Sequence, residues 1–216
     1  MLTIAEIAQA VAIIAACWAI VSGVGAWKRE FLGKRQIELA EEVLATFFEV
    51  KDSIAFIRSP FASTNEGKSR KRAEGESAVD AELLDRGYIV IERYTQREAA
   101  FARFNTLKYK FMASFGKGTE PIFLETNAVL HSIFVSARML ATHYWRRQGR
   151  VPMAADEFQR HLDEMHRHEG IFWDTTADDD EIRKKLEDIQ KRLEAATAHC
   201  FEEPMKTYSW LTWKPW

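Results

Sequence analysis

Arginines one helical turn apart, with aromatic rings beside them, are the residues of this sequence best placed to do chemistry. Arg93 and Arg97 have Tyr94 between them, Arg103 is flanked by Phe101 and Phe104, and Lys108, Lys110, Arg138, Arg146 and Arg147 add further cations. A guanidinium forks onto phosphate while a ring stacks on a base, which is how a nucleotide or a single-stranded nucleic acid is held. The candidate ligand-binding set is therefore Arg93, Arg97, Arg103, Lys108, Arg146 and Arg147. The plainer alternative is a surface face whose cations pair with Glu92, Glu98 and neighbouring acids, because exposed helix charges commonly do no more than solvate and pair. Arg58 and Arg138 lie among apolar residues and read as structural clamps.

A second constellation, Glu157, His161, Glu164 and His168, repeats at spacings of four, three and four, which puts all four on one helix face. Such a face binds a divalent cation when another helix supplies ligands. The paired Glu-x-x-His motifs of bundle metal sites are missing, so it reads as a solvated polar face. The acidic run Asp178–Glu181 lacks the spacing and the glycine of a calcium loop and reads as a helix cap. Neither a metal nor a cofactor is expected. No GxxxxGK[ST], GxGxxG, GxSxG or HExxH occurs, and no nucleophile or acid–base constellation stands out, so the chain is not expected to be an enzyme. Cys17 and Cys200 form no CxxC motif, which suits a reducing compartment.

These residues need a scaffold, and composition divides it in two. The 216 residues are 47% hydrophobic and 29% charged with a net charge of −2, and mean hydropathy is −0.29. Such averages exclude a polytopic membrane protein, a disordered tail and a strongly basic polyanion binder. Residues 1–27 nevertheless contain a single charged side chain, Glu6, while residues 28–216 carry all 30 Lys and Arg.

From Ile7 to Trp27 the one strongly polar side chain is Gln9, and this stretch as a helix spans roughly 30 Å, the thickness of a bilayer core. Lys28, Arg29, Lys34 and Arg35 follow, opposed only by Glu30, so the positive-inside rule keeps this flank cytoplasmic and the N-terminus outside. A bacterial inner membrane is the expected location. Val24-Gly25-Ala26 loosely resembles a cleavage site, but the basic cluster lies on the wrong side of the apolar run for a signal peptide. Ala8, Ala12 and Ala16 recur every four residues, as do Ala15, Ala19 and Gly23, a pattern that lets helices approach closely in lipid. Glu6 and Gln9, one turn apart, are the pore-lining candidates of such an oligomer; the plainer alternative leaves Glu6 among headgroups.

Everything beyond the span reads as helix, so the fold class is all-α: one transmembrane helix followed by a cytoplasmic helical bundle, expected to oligomerise. The expected divisions are a membrane helix over residues 1–30, a bundle over 31–203 and a Trp-rich tail over 204–216. Ile37, Ala40, Val43, Leu44, Phe47, Val50, Ile54 and Ile57 repeat at helical spacing up to Ser59-Pro60, with Gly33 the place for a bend. Residues 61–78 lack apolar periodicity and carry Lys68, Arg70, Lys71 and Arg72, the pattern of a mobile loop. Further helices are expected over 80–114, with Tyr88, Ile91, Phe101, Phe104, Leu107 and Phe111 inward, and from Pro121 to about Gly149. In the latter, Leu124, Leu130, Phe134, Ala137, Met139 and Tyr144 form the expected stripe. A shorter helix runs from about Ala154 to Glu169, and a last one begins at the acidic run. Its Ile182, Leu186, Ile189, Leu193, Ala196 and Cys200 make a heptad-like seam for intramolecular packing or subunit pairing. In the tail, Tyr208, Trp210, Trp213 and Trp216 suit either a membrane interface or an aromatic latch.

The stretches Trp27–Glu30, Glu38–Glu42, Ile57–Phe61, Glu92–Tyr94 and Lys108–Gly116 together resemble a family of small bacterial single-pass membrane proteins over roughly residues 27–140. The architecture is similar to the membrane effectors of bacterial anti-phage operons, Hailong-type effectors among them. That resemblance implies an oligomeric, channel-like protein held inactive by a nucleotide-derived single-stranded DNA ligand, and it assigns no ligand-binding residue.

Two functional readings stand. One is an oligomeric ligand-gated pore or ion channel in anti-phage defence, controlled by a nucleotide or oligonucleotide on the bundle. The expected partners are then further copies of itself, a tetramer being one option, the lipid bilayer, and a nucleotide second messenger. The other is a membrane-anchored helical scaffold that docks a soluble, operon-encoded partner protein.

Overall fold

A computed structural model describes residues 3–175 and 179–201. Six α-helices follow one another: α1 (Ile4–Ile57), α2 (Ala78–Phe115), α3 (Glu120–Met139), a single turn α4 (Trp145–Arg147), α5 (Ala155–Phe172) and α6 (Glu181–Phe201). A 3-10 turn, Lys117–Thr119, precedes α3, and a π-helical turn, Leu140–Tyr144, joins α3 to α4. No strand occurs among the described residues. Two compact units are distinguished, one of residues 3–42 with 198–201 and one of Val43–Thr197.

The first unit holds the apolar part of α1, which is long and apolar enough to cross a membrane, with none of that window buried. Trp18 is 74% and Val21 72% exposed, within a contiguous run of exposed apolar side chains from Val11 to Trp27. Gly33, the place expected for a bend, lies inside α1, whose helical winding runs through it without a break. Trp27 stacks on Phe31 at 5.7 Å, and the Arg35 guanidinium sits 5.6 Å from the Phe31 ring, a ladder at i, i+4 and i+8.

The second unit is a helical bundle whose core follows the expected α1 face: Val43, Phe47, Val50, Ile54 and Ile57 are each fully buried. Ile37 stays partly exposed and Leu44 half-buried. Ser77 caps α2 by accepting the Asp80 amide at 3.1 Å, and Gly116 ends it at φ 93°, in the left-handed region that favours glycine. Within α2, Phe101, Phe104, Leu107 and Phe111 are buried as expected, and Phe104 stacks on Phe123 of α3 with centroids 4.6 Å apart. Tyr88 and Ile91 are only half-buried; their place inside is taken by Ile89, Val90 and Arg93. Asn105 of α2 and Asn127 of α3 exchange amide hydrogen bonds, at 2.7 and 3.2 Å, which pins the register of the two helices.

Two expectations are corrected for α3. Leu124 is 51% exposed, and the inner face is Ile122, Phe123, Thr126, Val129, Leu130 and Ile133. The helix also changes its winding over Leu140–Tyr144, and a wider π turn shifts every later residue around the axis. Four residues of the expected α6 seam, Ile182, Leu186, Ile189 and Leu193, are buried within this chain, whereas Ala196 and Cys200 are only half-buried. Asp180 caps α6 by accepting the Arg183 amide at 3.0 Å, while Asp178 and the Trp-rich tail lie outside the described residues.

Candidate functional site

The six candidate cations do not converge. Arg93 is 1% exposed and cannot meet a soluble ligand. Its Nη1 donates to the carbonyls of Ile57 (3.2 Å) and Ser59 (2.6 Å), and its Nη2 to the carbonyl of Phe61 and the carboxylate of Glu66, both at 2.7 Å. The end of α1 leaves backbone carbonyls without intrahelical partners, and a planar guanidinium with several donors is suited to gather them. Arg93 therefore acts as the clamp of the α1 terminus. Its Nε remains buried without a partner.

Arg97, one turn on, is exposed and lies 4.9 Å from the Phe56 ring centroid. Arg103 is exposed as well. Lys108 is held against Glu120 at 2.9 Å with its side chain largely covered. Arg146 pairs with Asp80 and Arg147 with Glu157, each at 3.1 Å. Because Asp80 begins α2 and Lys108 lies near its end, those two cations are about 40 Å apart along the helix. No single ligand of nucleotide size touches both.

The clamp at the end of α1 is double. Arg58 donates its Nε to the Ile171 carbonyl (2.9 Å), its Nη2 to those of Gly170 (2.8 Å) and Trp173 (2.9 Å), and a fork onto the Asp180 carboxylate at 2.9 and 3.1 Å. Burial by itself raises the pKa of Asp180. The Arg58 fork and the amides of Arg183 and Thr175 outweigh it and hold the carboxyl below the usual range. Arg58 is thus the structural clamp expected, whereas Arg138 is exposed.

The basic loop is pinned. Arg70 forks between Glu76 and Asp85, Arg72 reaches Asp85 at 2.6 Å, and the Gly67 amide donates to Glu92 at 2.6 Å. A side chain on Gly67 would collide with the Asp85 carbonyl, and its φ is 83°, so glycine is required where the loop crosses α2.

The Glu157–His168 face splits. Glu157 and Glu164 are exposed, paired with Arg147 and Arg167. His161 and His168 are 6% and 8% exposed, so they form the buried face of α5 and not a solvated one. Both rings pack on Tyr144 of the π turn, with centroids 5.5 and 5.2 Å away. His168 Nδ1 lies 3.0 Å from the Ser136 hydroxyl, and burial pushes its pKa below the usual histidine value. His161 Nε2 is buried with no partner. No group of three metal-binding side chains occurs among the described residues. This histidine–tyrosine cluster escaped the sequence, which offers no sign of a π turn; the i, i+7 repeat of the two histidines was its one visible signal.

Glu6 and Gln9 are exposed on α1, and Glu6 accepts from the Thr3 amide at 2.7 Å as part of the helix start. Comparison with protein-family models, curated proteins and solved structures finds no match for the chain.

Proposed function

We propose that the chain is an oligomeric single-pass membrane effector, a pore whose state is set by its cytoplasmic bundle, as in bacterial anti-phage defence. The observation that carries this reading is the apolar half of α1, none of which the chain itself buries. Lipid and neighbouring copies are the surfaces that would cover it. The Trp27–Phe31–Arg35 ladder suits the cytoplasmic interface, where aromatic rings and cations meet headgroups. Glu6 and Gln9 then stand near the outer mouth. Of the candidate cations, Arg97, exposed beside the Phe56 ring, suits a nucleotide or oligonucleotide best.

The deciding experiment measures the mass of the detergent-solubilised complex and ion flux through liposomes holding purified protein. A closed oligomer with flux that a nucleotide or oligonucleotide alters is expected. A monomer, or no flux under any condition, overturns the reading, since one helix cannot enclose a channel.

A second reading, a membrane-anchored scaffold for a soluble partner protein, draws on the state of the cations. Arg93, Lys108, Arg146 and Arg147 are all ion-paired within the chain, which leaves few for a polyanion. A stoichiometric soluble protein co-purifying with a monomeric chain would favour it.

A further inference from the structure

We propose that the groove between α2 and α3 binds a single-chain anionic amphiphile, a free fatty carboxylate. Leu84, Tyr88 and Ile91 of α2 line it together with Phe134, Ala137 and Ala141 across the way, around a cavity of about 310 Å³. That volume is at the lower end of the roughly 300–1,000 Å³ of small-molecule sites. No carboxylate lines it. The walls offer carbon, which excludes a nucleotide or a metal ion and suits an acyl chain.

The rim supplies the charge preference. Arg70 and Arg138 both border the groove. Arg70 is neutralised by Glu76 and Asp85. Arg138 is exposed, and its guanidinium has no partner among the described residues; the Tyr88 hydroxyl has none either. One uncompensated cation and one phenolic donor beside an apolar slot match one carboxylate beside one chain.

The backbone shows how the slot is made. Gly87 lies against α3 so closely that a Cβ would sit 2.6 Å from Ala141 Cβ and 3.0 Å from the Ala137 carbonyl. Small residues bring the helices together there, and the larger side chains on either side splay to leave the groove. Ala141 and Thr142 line it from the π turn, a distortion that costs helical hydrogen bonding and often marks functional sites.

The test uses the full chain in detergent-free peptidiscs, irradiated with a dodecanoate carrying a diazirine at its far end. Label is expected on the peptides that contain Tyr88 or Phe134, displaced by unlabelled dodecanoate. Arg138→Gln is expected to weaken labelling about tenfold, the scale of one charge-assisted hydrogen bond. Leu84→Trp, which fills the slot, should abolish it, with Ile91→Trp as a second filling variant; circular dichroism and melting confirm that each variant is folded. Label confined to residues 4–27 overturns the proposal, as does label that persists in the filling variants or is unchanged by Arg138→Gln. Equal competition by dodecan-1-ol, or competition by phosphatidylglycerol and not by dodecanoate, also overturns it.

Discussion

Arg93 and Arg97 stand one turn apart in α2, carry the same charge and flank the same tyrosine, yet one is enclosed by carbonyls and the other lies open on a ring. Arg93→Met would leave Glu66 and the carbonyls at the end of α1 without their donor. A loss of about 3–5 kcal/mol is expected, as for other broken buried pairs, measured by denaturant unfolding followed by circular dichroism. Arg97→Gln should cost less than about 1 kcal/mol in the same assay, since it removes an exposed cation. The sequence could not separate the two, because the acceptors of Arg93 lie 27 to 37 positions away, at the end of α1 and in the loop that follows it. Asp180 carries a linked prediction. Its folded pKa is lowered from the ordinary 3.8 to about 2, so its contribution is present above 3.8 and is lost as pH falls through the lowered value. Asp180→Asn should therefore remove part of the acid sensitivity of unfolding while lowering stability at neutral pH.

Among the elements, those with a strict apolar repeat were legible: the α1 face from Ala40 to Ile57 and the α6 seam from Ile182 to Leu193 are both buried. The α3 stripe was legible in part: Leu130 and Ala137 are buried as expected, but Leu124 matches the repeat in type and faces away from the core, and the π turn changes the winding beyond Met139. Near that turn, Gly87→Ala should destabilise the α2–α3 contact by about 1–3 kcal/mol, because the neighbour at 3.0 Å is backbone and cannot swing aside. The packing of α5 should also depend on pH. His168 has a folded pKa below 6.5, so its neutral form stabilises the fold fully above 6.5 and that contribution is lost as pH falls through the lowered value. Ser136, Tyr144 and His161 surround it, with Arg167 opposing its protonation and Glu164 favouring it. Protection factors of the amides in Ala155–Phe172, corrected for the base-catalysed intrinsic rate, should fall between pH 7.5 and 5.5 in the native chain and change less in His168→Gln.

For the molecule as a whole, the division between an apolar helix and a charged helical bundle was open to reading, since it rests on composition. The convergence of the cations was not, because it depends on how far apart α2 holds them. Membrane residence has a direct check. Ile14→Arg with Val21→Arg puts two charges near the middle of the span, each costing about 2.5–3.5 kcal/mol, and should move the chain from the carbonate-resistant membrane fraction to the soluble one. Orientation is tested with Lys71→Cys in the exposed loop, which an impermeant maleimide should label only after the inner membrane is opened. The double arginine clamp has a further bearing, on biosynthesis. The acceptors of Arg58 lie 112 to 122 residues later in the chain. At roughly 5–20 residues per second a ribosome needs roughly 6–24 s to deliver them. The first turns of α1 thus emerge well before the end of the same helix is secured. Throughout that interval the Arg58 guanidinium has none of these acceptors, and a chain stalled before residue 170 never supplies them.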